Sequence, residues 1–441
     1  MFQLINTKNF KSLGNFSFDL RLTAQKVQPL SIIYGPNGIG KSNLTATFNF
    51  LAESLTTMNV NEMMQKLLSN PNNMQDNEKL LKAIKSNMLD MSKLIAHNKT
   101  IDSNEPMILE FFFFINGHRG SYTIKTDNTS VIYEKLEYTL SHNKGICFEI
   151  SPTKNFYSDK VFLDKQLIAN VKDLKTKYWG KHSLLAILNY DMNASSSDFY
   201  KSGLSTHFQE AFSFLLNFGC RYKIGNHEER GQMALPKELL FEYSNGNIPS
   251  NKLKLLDNNK KLFDAFLPKI NNHILSTFYK LESNENGTIN YKLYLKENIN
   301  NYTTNVDFKL ESTGTQAAIE LLYFILSAVN GNTVIIDEFE SGLHEQIALS
   351  IMESVQQSIK GQLIVTTHQT RLLESPLLRN NHYNISENEN GTKQIKRMMD
   401  NDIRTFVTNN MRKSYLANKY KSCPQTTIFN FQDLFKLVKE P

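Results

Sequence analysis

The chain has 441 residues, of which 40% are hydrophobic and 21% charged. That length holds two or three domains, and the apolar content supplies at least one sizeable core, which excludes a disordered or fibrous class. A formal charge of +6, from 49 Lys+Arg against 43 Asp+Glu, permits contact with nucleic acid without requiring it.

Phe2 to Leu20 reads as two short strands around a turn, and Leu30 to Tyr34 as a buried apolar strand. That strand runs into Gly35-Pro36-Asn37-Gly38-Ile39-Gly40-Lys41-Ser42, a complete G-x-x-x-x-G-K-[ST] phosphate loop, and Asn43 to Phe48 opens a helix. The glycines let backbone N–H groups close around phosphates, and the helix dipole favours the anion. Lys41 adds a compact charge near the β and γ phosphates, and Ser42 offers a hydroxyl to Mg²⁺. Gly35, Asn37, Gly38, Gly40, Lys41, Ser42 and Asn43 are therefore the candidate nucleotide-binding residues.

Residues 51–104 change to helical spacing (Met63, Met64, Leu67, Leu68, Leu80, Leu81, Ile84, Met88, Met91, Leu94), broken at Asn70-Pro71-Asn72-Asn73. A helical hairpin inserted into the head is expected there. Strands resume at Met107 to Ile115, turn at Asn116-Gly117, and continue through Tyr122 to Ile124 and Tyr133 to Leu140 as an antiparallel meander within 105–150. Residues 155–300 predict a larger, mainly helical insertion, clearest at His207 to Phe218 and at Lys260 to Leu281, interrupted at Pro268; strands return at Ile289 to Leu295. The split head closes over 305–400 with the strands Thr333 to Ile336 and Gln362 to Thr366, and 401–441 forms a C-terminal tail. The predicted fold class is α/β: a P-loop ATPase head with a mixed sheet and an antiparallel meander, plus helical insertions.

Asp337 and Glu338 end the strand Thr333 to Ile336. At that end Asp337 is placed to hold Mg²⁺ and Glu338 to act as base or orienter for the attacking water. The run that begins with the strand Gln362 to Thr366 ends in His368, where a γ-phosphate sensor can sit. Between them, Glu311-Ser312-Thr313-Gly314-Thr315-Gln316 leads into a helix from Ala317 to Val329, as either an anion site or an ordinary N-cap. Cys147, Cys220 and Cys423 lack C-x-x-C or Cys/His spacing, so neither a disulfide framework nor a zinc site is expected. With no apolar stretch of membrane-spanning length and no signal peptide, a cytoplasmic location without membrane contact is expected.

The order of phosphate loop, S-x-G-T-Q segment, I-I-D-E strand and T-T-H strand resembles the ABC-type ATPase heads of the SMC, RecF and OLD group. Asn9 to Leu13, Glu340 to His344, and Tyr415-Leu416 followed by Tyr420 and Pro424 resemble the compact AAA-type ATPases of bacterial anti-phage systems, such as the AbiL and PARIS ATPases. The resemblance implies ATP and Mg²⁺ as ligands, with Lys41, Glu338 and His368 catalytic and Ser42 and Asp337 on the metal. It also implies a homo-oligomer in which Ser312 and Gly314 of one protomer meet the γ-phosphate held by another. Thr313 stands where the transporter signature has its first glycine. Asn189 and Asp191 lie in a segment similar to the family's glutamine loop, without being assigned as ligands.

Some members of the group that the chain resembles carry a fused nuclease, and 401–441 is expected to be too short to hold one. Arg221 and His227 match the loose R-x-x-x-x-x-H spacing of small RNases, but Gly225 disfavours the helix this needs. The expected function is thus a regulatory or sensor ATPase of an anti-phage system. It would control a separately encoded toxic effector, expected to be a nuclease, with a nucleic acid or phage protein as candidate trigger. The alternative is a DNA-repair ATPase, similar to RecF or SMC, that clamps DNA.

Overall fold

Two seven-stranded sheets pack against one buried helix, Lys41–Ser54, which leaves the phosphate loop and carries eleven buried residues. A computed structural model describes residues 1–60, 90–194, 197–224, 228–232, 236–284, 287–401, 410–423, 430–432 and 435. The hairpin residues Met63 to Met88, together with His227 and Pro424, lie outside the described residues.

The first sheet is antiparallel throughout, in the order Gly14–Asp19, Phe2–Phe10, Met107–Ile115, His118–Thr126, Val131–Thr139, Lys144–Ile150 and Asn155–Tyr157. Alternate residues of its strands, such as Leu109, Phe111 and Phe113, are fully buried, as period-two patterning demands. Phe2 meets Phe48 of the buried helix at 5.1 Å and Phe111 at 5.9 Å between ring centroids.

The second sheet runs Glu228–Gln232, Gly219–Ile224, Thr333–Ile336, Gln362–Thr366, Leu30–Tyr34, His382–Glu387 and Lys393–Arg397. Its five central strands are parallel and its two edge strands antiparallel. Near-continuous apolar runs at Leu30–Tyr34, Thr333–Ile336 and Gln362–Thr366 fit a sheet covered on both faces. One face meets the buried helix; the other packs against Thr313–Val329, Glu345–Ser358 and Met411–Leu416. Buried Gln362 locks the two sheets together, accepting from Phe2 N–H at 2.8 Å and donating to Phe2 C=O at 2.9 Å.

The region 155–300 differs from the mainly helical expectation. Helices Lys165–Tyr178, Leu184–Ala194, Ser197–Gly203 and Thr206–Leu216 are followed by Gly219–Ile224, which pairs with Thr333–Ile336 inside the nucleotide sheet. Beyond it, Asn245–Pro249, Ile274–Ser283, Thr288–Ile299 and Tyr302–Asp307 form a third, antiparallel sheet beside helix Lys254–Ile270. Pro268 lies within that helix, near its end, and the chain turns to strand at Ile274. Sequence periodicity reports the burial of a short strand but not its partner, so a strand recruited from a distant stretch goes unseen.

Candidate functional site

The phosphate loop forms the floor of a cleft of about 530 Å³ lined by Asn37, Gly38, Gly40, Lys41, Ser42, Asn43, Glu338 and His368. Gly38 at φ 78° and Gly40 at φ 114° hold left-handed backbone that a side chain would strain. Gly40 has no side chain to cap the following helix, so first-turn N–H groups there are donors for an anion. Gly35 stands outside the lining. A Cβ there would sit 2.8 Å from Ile39 Cγ2 and 3.3 Å from the Ile385 carbonyl, so its role is close packing under the loop. Lys41 folds over the loop, Nζ donating to the Gly35 carbonyl at 2.7 Å and the Pro36 carbonyl at 3.1 Å. Burial holds its pKa below the usual lysine value, opposed by the nearby acids Asp337, Glu338 and Glu340.

The acidic pair follows the strand Thr333–Ile336, two strands from the phosphate-loop strand. Asp337 is buried, which raises its pKa; hydrogen bonds from the Thr366 and Ser42 hydroxyls oppose that rise. Glu338 adopts φ 46°, a left-handed conformation rarely taken by a residue with a side chain. Thr366 ties the two together. Its Oγ1 donates to Asp337 Oδ1 at 2.5 Å and accepts from the Glu338 N–H at 2.8 Å.

His368 opens onto the same cleft. Partial burial, then the Lys41 charge, hold its imidazole below the usual histidine pKa, with Glu338 opposing. Its backbone N–H donates to Glu340 Oε1 at 2.6 Å, so the carboxylate of one loop fixes the position of the other. Burial raises the pKa of Glu340, and the His368 bond opposes that. Thr366 and Glu340 were missed as site residues in the sequence. The signals available in the sequence were the T-T-H segment that Thr366 opens and the Glu340 to His344 run that Glu340 begins, both of which carry the family resemblance without marking either residue's role.

Ser312 and Gly314 lie outside this cleft. Ser312 is the N-cap of the helix Thr313–Val329, its Oγ accepting from the Thr315 N–H at 3.2 Å. A Cβ on Gly314 would lie 2.7 Å from the Gly342 carbonyl, so the helix start packs directly on the turn that follows Glu338. Asn189 and Asp191 serve structure: Asn189 Nδ2 donates to the Leu55 carbonyl at 3.1 Å, and Asp191 accepts from Asn170 and from the Tyr200 hydroxyl. Arg221 lies in the strand Gly219–Ile224, not on a helix, its backbone carbonyl accepting from the Asp337 N–H at 2.9 Å.

A phosphate loop at the start of a buried helix, facing an acid-ended strand of the same sheet, defines a P-loop nucleotide-binding protein. The chain belongs to the family described as "AAA domain, putative AbiEii toxin, Type IV TA system", whose model matches residues 30–374. Among curated proteins none matches. Among solved structures, the chain is similar to the SMC head domain from Thermotoga maritima, at 12% identity and TM-score 0.36, covering 90% of this chain and 98% of that one. An SMC head bound to the C-terminal winged-helix domain of ScpA matches at 13% identity and TM-score 0.41, with 90% and 99% covered. The recombination mediator protein RecF matches at 12% identity and TM-score 0.36, with 90% and 98% covered. Among the described residues no helix is long and apolar enough to cross a membrane.

Proposed function

We propose that this chain binds ATP with Mg²⁺ in the cleft over residues 35–43, hydrolyses it, and uses the bound nucleotide to time an assembly. The residues fit that ligand. Left-handed glycines, an uncapped helix start and Lys41 suit polyphosphate, and the Ser42 hydroxyl beside the Asp337 carboxylate suits a hard, oxygen-seeking cation. When bound, Mg²⁺ neutralises charge on the β and γ phosphates. Glu338 takes a proton from the attacking water as its oxygen bonds to the γ-phosphorus, and the bond to the departing ADP oxygen breaks. His368, whose lowered pKa favours the neutral ring near pH 7, offers a hydrogen bond to the transferring group.

The observation that carries this reading is the Thr366 hydroxyl, which holds Asp337 and the strained Glu338 on one side of the cleft. Phosphate release from the purified chain tests it. Lys41→Ala should abolish nucleotide binding, and Glu338→Gln should keep binding while turnover stops; full turnover in Glu338→Gln removes the assigned base.

The wider role we propose is a regulatory or sensor subunit of an anti-phage system that oligomerises through its heads and holds or releases a separate toxic effector. The toxin–antitoxin wording of the family description supports it. In the shared site, Ser312 and Gly314 would complete a partner's cleft. Mixing Lys41→Ala with Ser312→Arg protein should then restore part of the activity, and no recovery in any mixture refutes sharing. Co-purification with the product of the neighbouring gene supports the regulatory role; tight duplex DNA binding by the chain alone supports a repair clamp instead.

A further inference from the structure

A second polar group stands on the far flank of the phosphate loop. In the nucleotide sheet, Asp337 and Glu338 follow a strand two places to one side of Leu30–Tyr34, and Lys393 begins a strand two places to the other. His382–Glu387 runs parallel to Leu30–Tyr34 and pairs antiparallel with Lys393–Arg397, with Glu387 opposite Lys393. Lys393 therefore sits at the same edge of the sheet as the phosphate loop.

Its ammonium reaches the loop. Lys393 Nζ donates to Ser12 Oγ at 2.7 Å, and Asn43 Nδ2 donates to the same oxygen, also at 2.7 Å. A Cβ on Gly40 would lie 3.6 Å from Lys393 Nζ and 3.7 Å from Ser12 Oγ, so the group lies within one side chain's length of the loop backbone. With its oxygen accepting twice, Ser12 keeps its own hydroxyl proton to donate outward. An ammonium, an amide NH₂ and a hydroxyl proton make a donor set suited to an anionic oxygen. Partial burial of Lys393 lowers its pKa, and the acid that faces it is Glu387.

Which phosphate meets this set follows from the sheet order. The hydrolytic residues Glu338 and His368 mark the γ end, and Lys41 reaches the β and γ groups. The opposite flank belongs to the end nearer the nucleoside. We propose that Lys393, held by Ser12, whose hydroxyl oxygen also accepts from Asn43, binds the α-phosphate of the nucleotide. This rests on the ATP reading above and adds to it the residue that fixes the nucleoside side of the triphosphate.

The test is equilibrium binding of ATP, ADP and the two α-thio diastereomers of ATP to the full chain. Lys393→Ala should weaken ATP and ADP alike by about tenfold, and Lys393→Arg should restore most of it. The unaltered chain should bind the two diastereomers unequally, because only one keeps oxygen toward the donors; Lys393→Ala should level them. Unchanged affinity in Lys393→Ala, with tight binding by the unaltered chain, overturns the proposal while leaving the ATP reading intact. A loss with the diastereomer preference retained overturns it too, since Lys393 would then only tie the two hairpins together. No nucleotide binding by the unaltered chain overturns both. Should Lys393→Ala not fold, Lys393→Gln carries the same expectations.

Discussion

Replacing Thr366 with valine keeps the shape of a fully buried side chain and removes its hydroxyl. Two bonds go with it: the donation to Asp337 at 2.5 Å and the acceptance from the Glu338 N–H at 2.8 Å. The first loss is worth about 1.5–3 kcal/mol for a charged partner, and an unpaired amide adds about 1–3 kcal/mol. Glu338 is only half-buried and water relieves part of that, so an overall loss of about 2–4 kcal/mol is expected. Denaturant unfolding should show it as a lower midpoint at unchanged slope.

Turnover should suffer as well as stability. The φ of 46° at Glu338 is a strained conformation held by its surroundings, and without its anchor the turn relaxes. A displacement of about 1 Å at the base would lower hydrolysis about 10²-fold. Thr366→Ser, which keeps the hydroxyl, should hydrolyse ATP nearly as well as the unaltered protein. A valine variant with normal unfolding and normal phosphate release would refute the argument that Thr366 organises the acidic pair.

Gly314→Ala should destabilise by about 1–3 kcal/mol, because its Cβ would enter the space of the Gly342 carbonyl; thermal unfolding reads this directly. His382 is fully buried and its pKa is pushed down by burial from 6.5 to about 3, so the folded state resists the proton that the unfolded chain accepts. Its contribution is present above pH 6.5 and is lost as the pH falls toward 3, and His382→Phe should flatten that part of the stability profile. Asp337 has the opposite sign: its raised pKa favours the apo fold on acidification through the carboxylate range and costs stability as the pH rises. Asp337→Asn should therefore stabilise the apo protein near pH 7 while abolishing Mg²⁺-dependent hydrolysis; unchanged hydrolysis would remove Asp337 from the metal.

The sequence alone determined the chemistry of individual positions. Glycines where the chain must turn left-handed, a lysine and serine after them, and an acid pair closing an apolar run are local requirements, written in consecutive residues. The strands Thr333–Ile336 and Gln362–Thr366 were legible because parallel, doubly covered strands are near-continuous apolar runs. Only tertiary structure decided what lies beside them. Gly219–Ile224 joins the nucleotide sheet by pairing across more than a hundred residues, a relation carried by hydrogen bonds that no periodicity records. In the same way Thr366 becomes the link between Asp337 and Glu338, and Lys393 comes to Ser12 and Gly40, because sheet order sets neighbours independently of chain order.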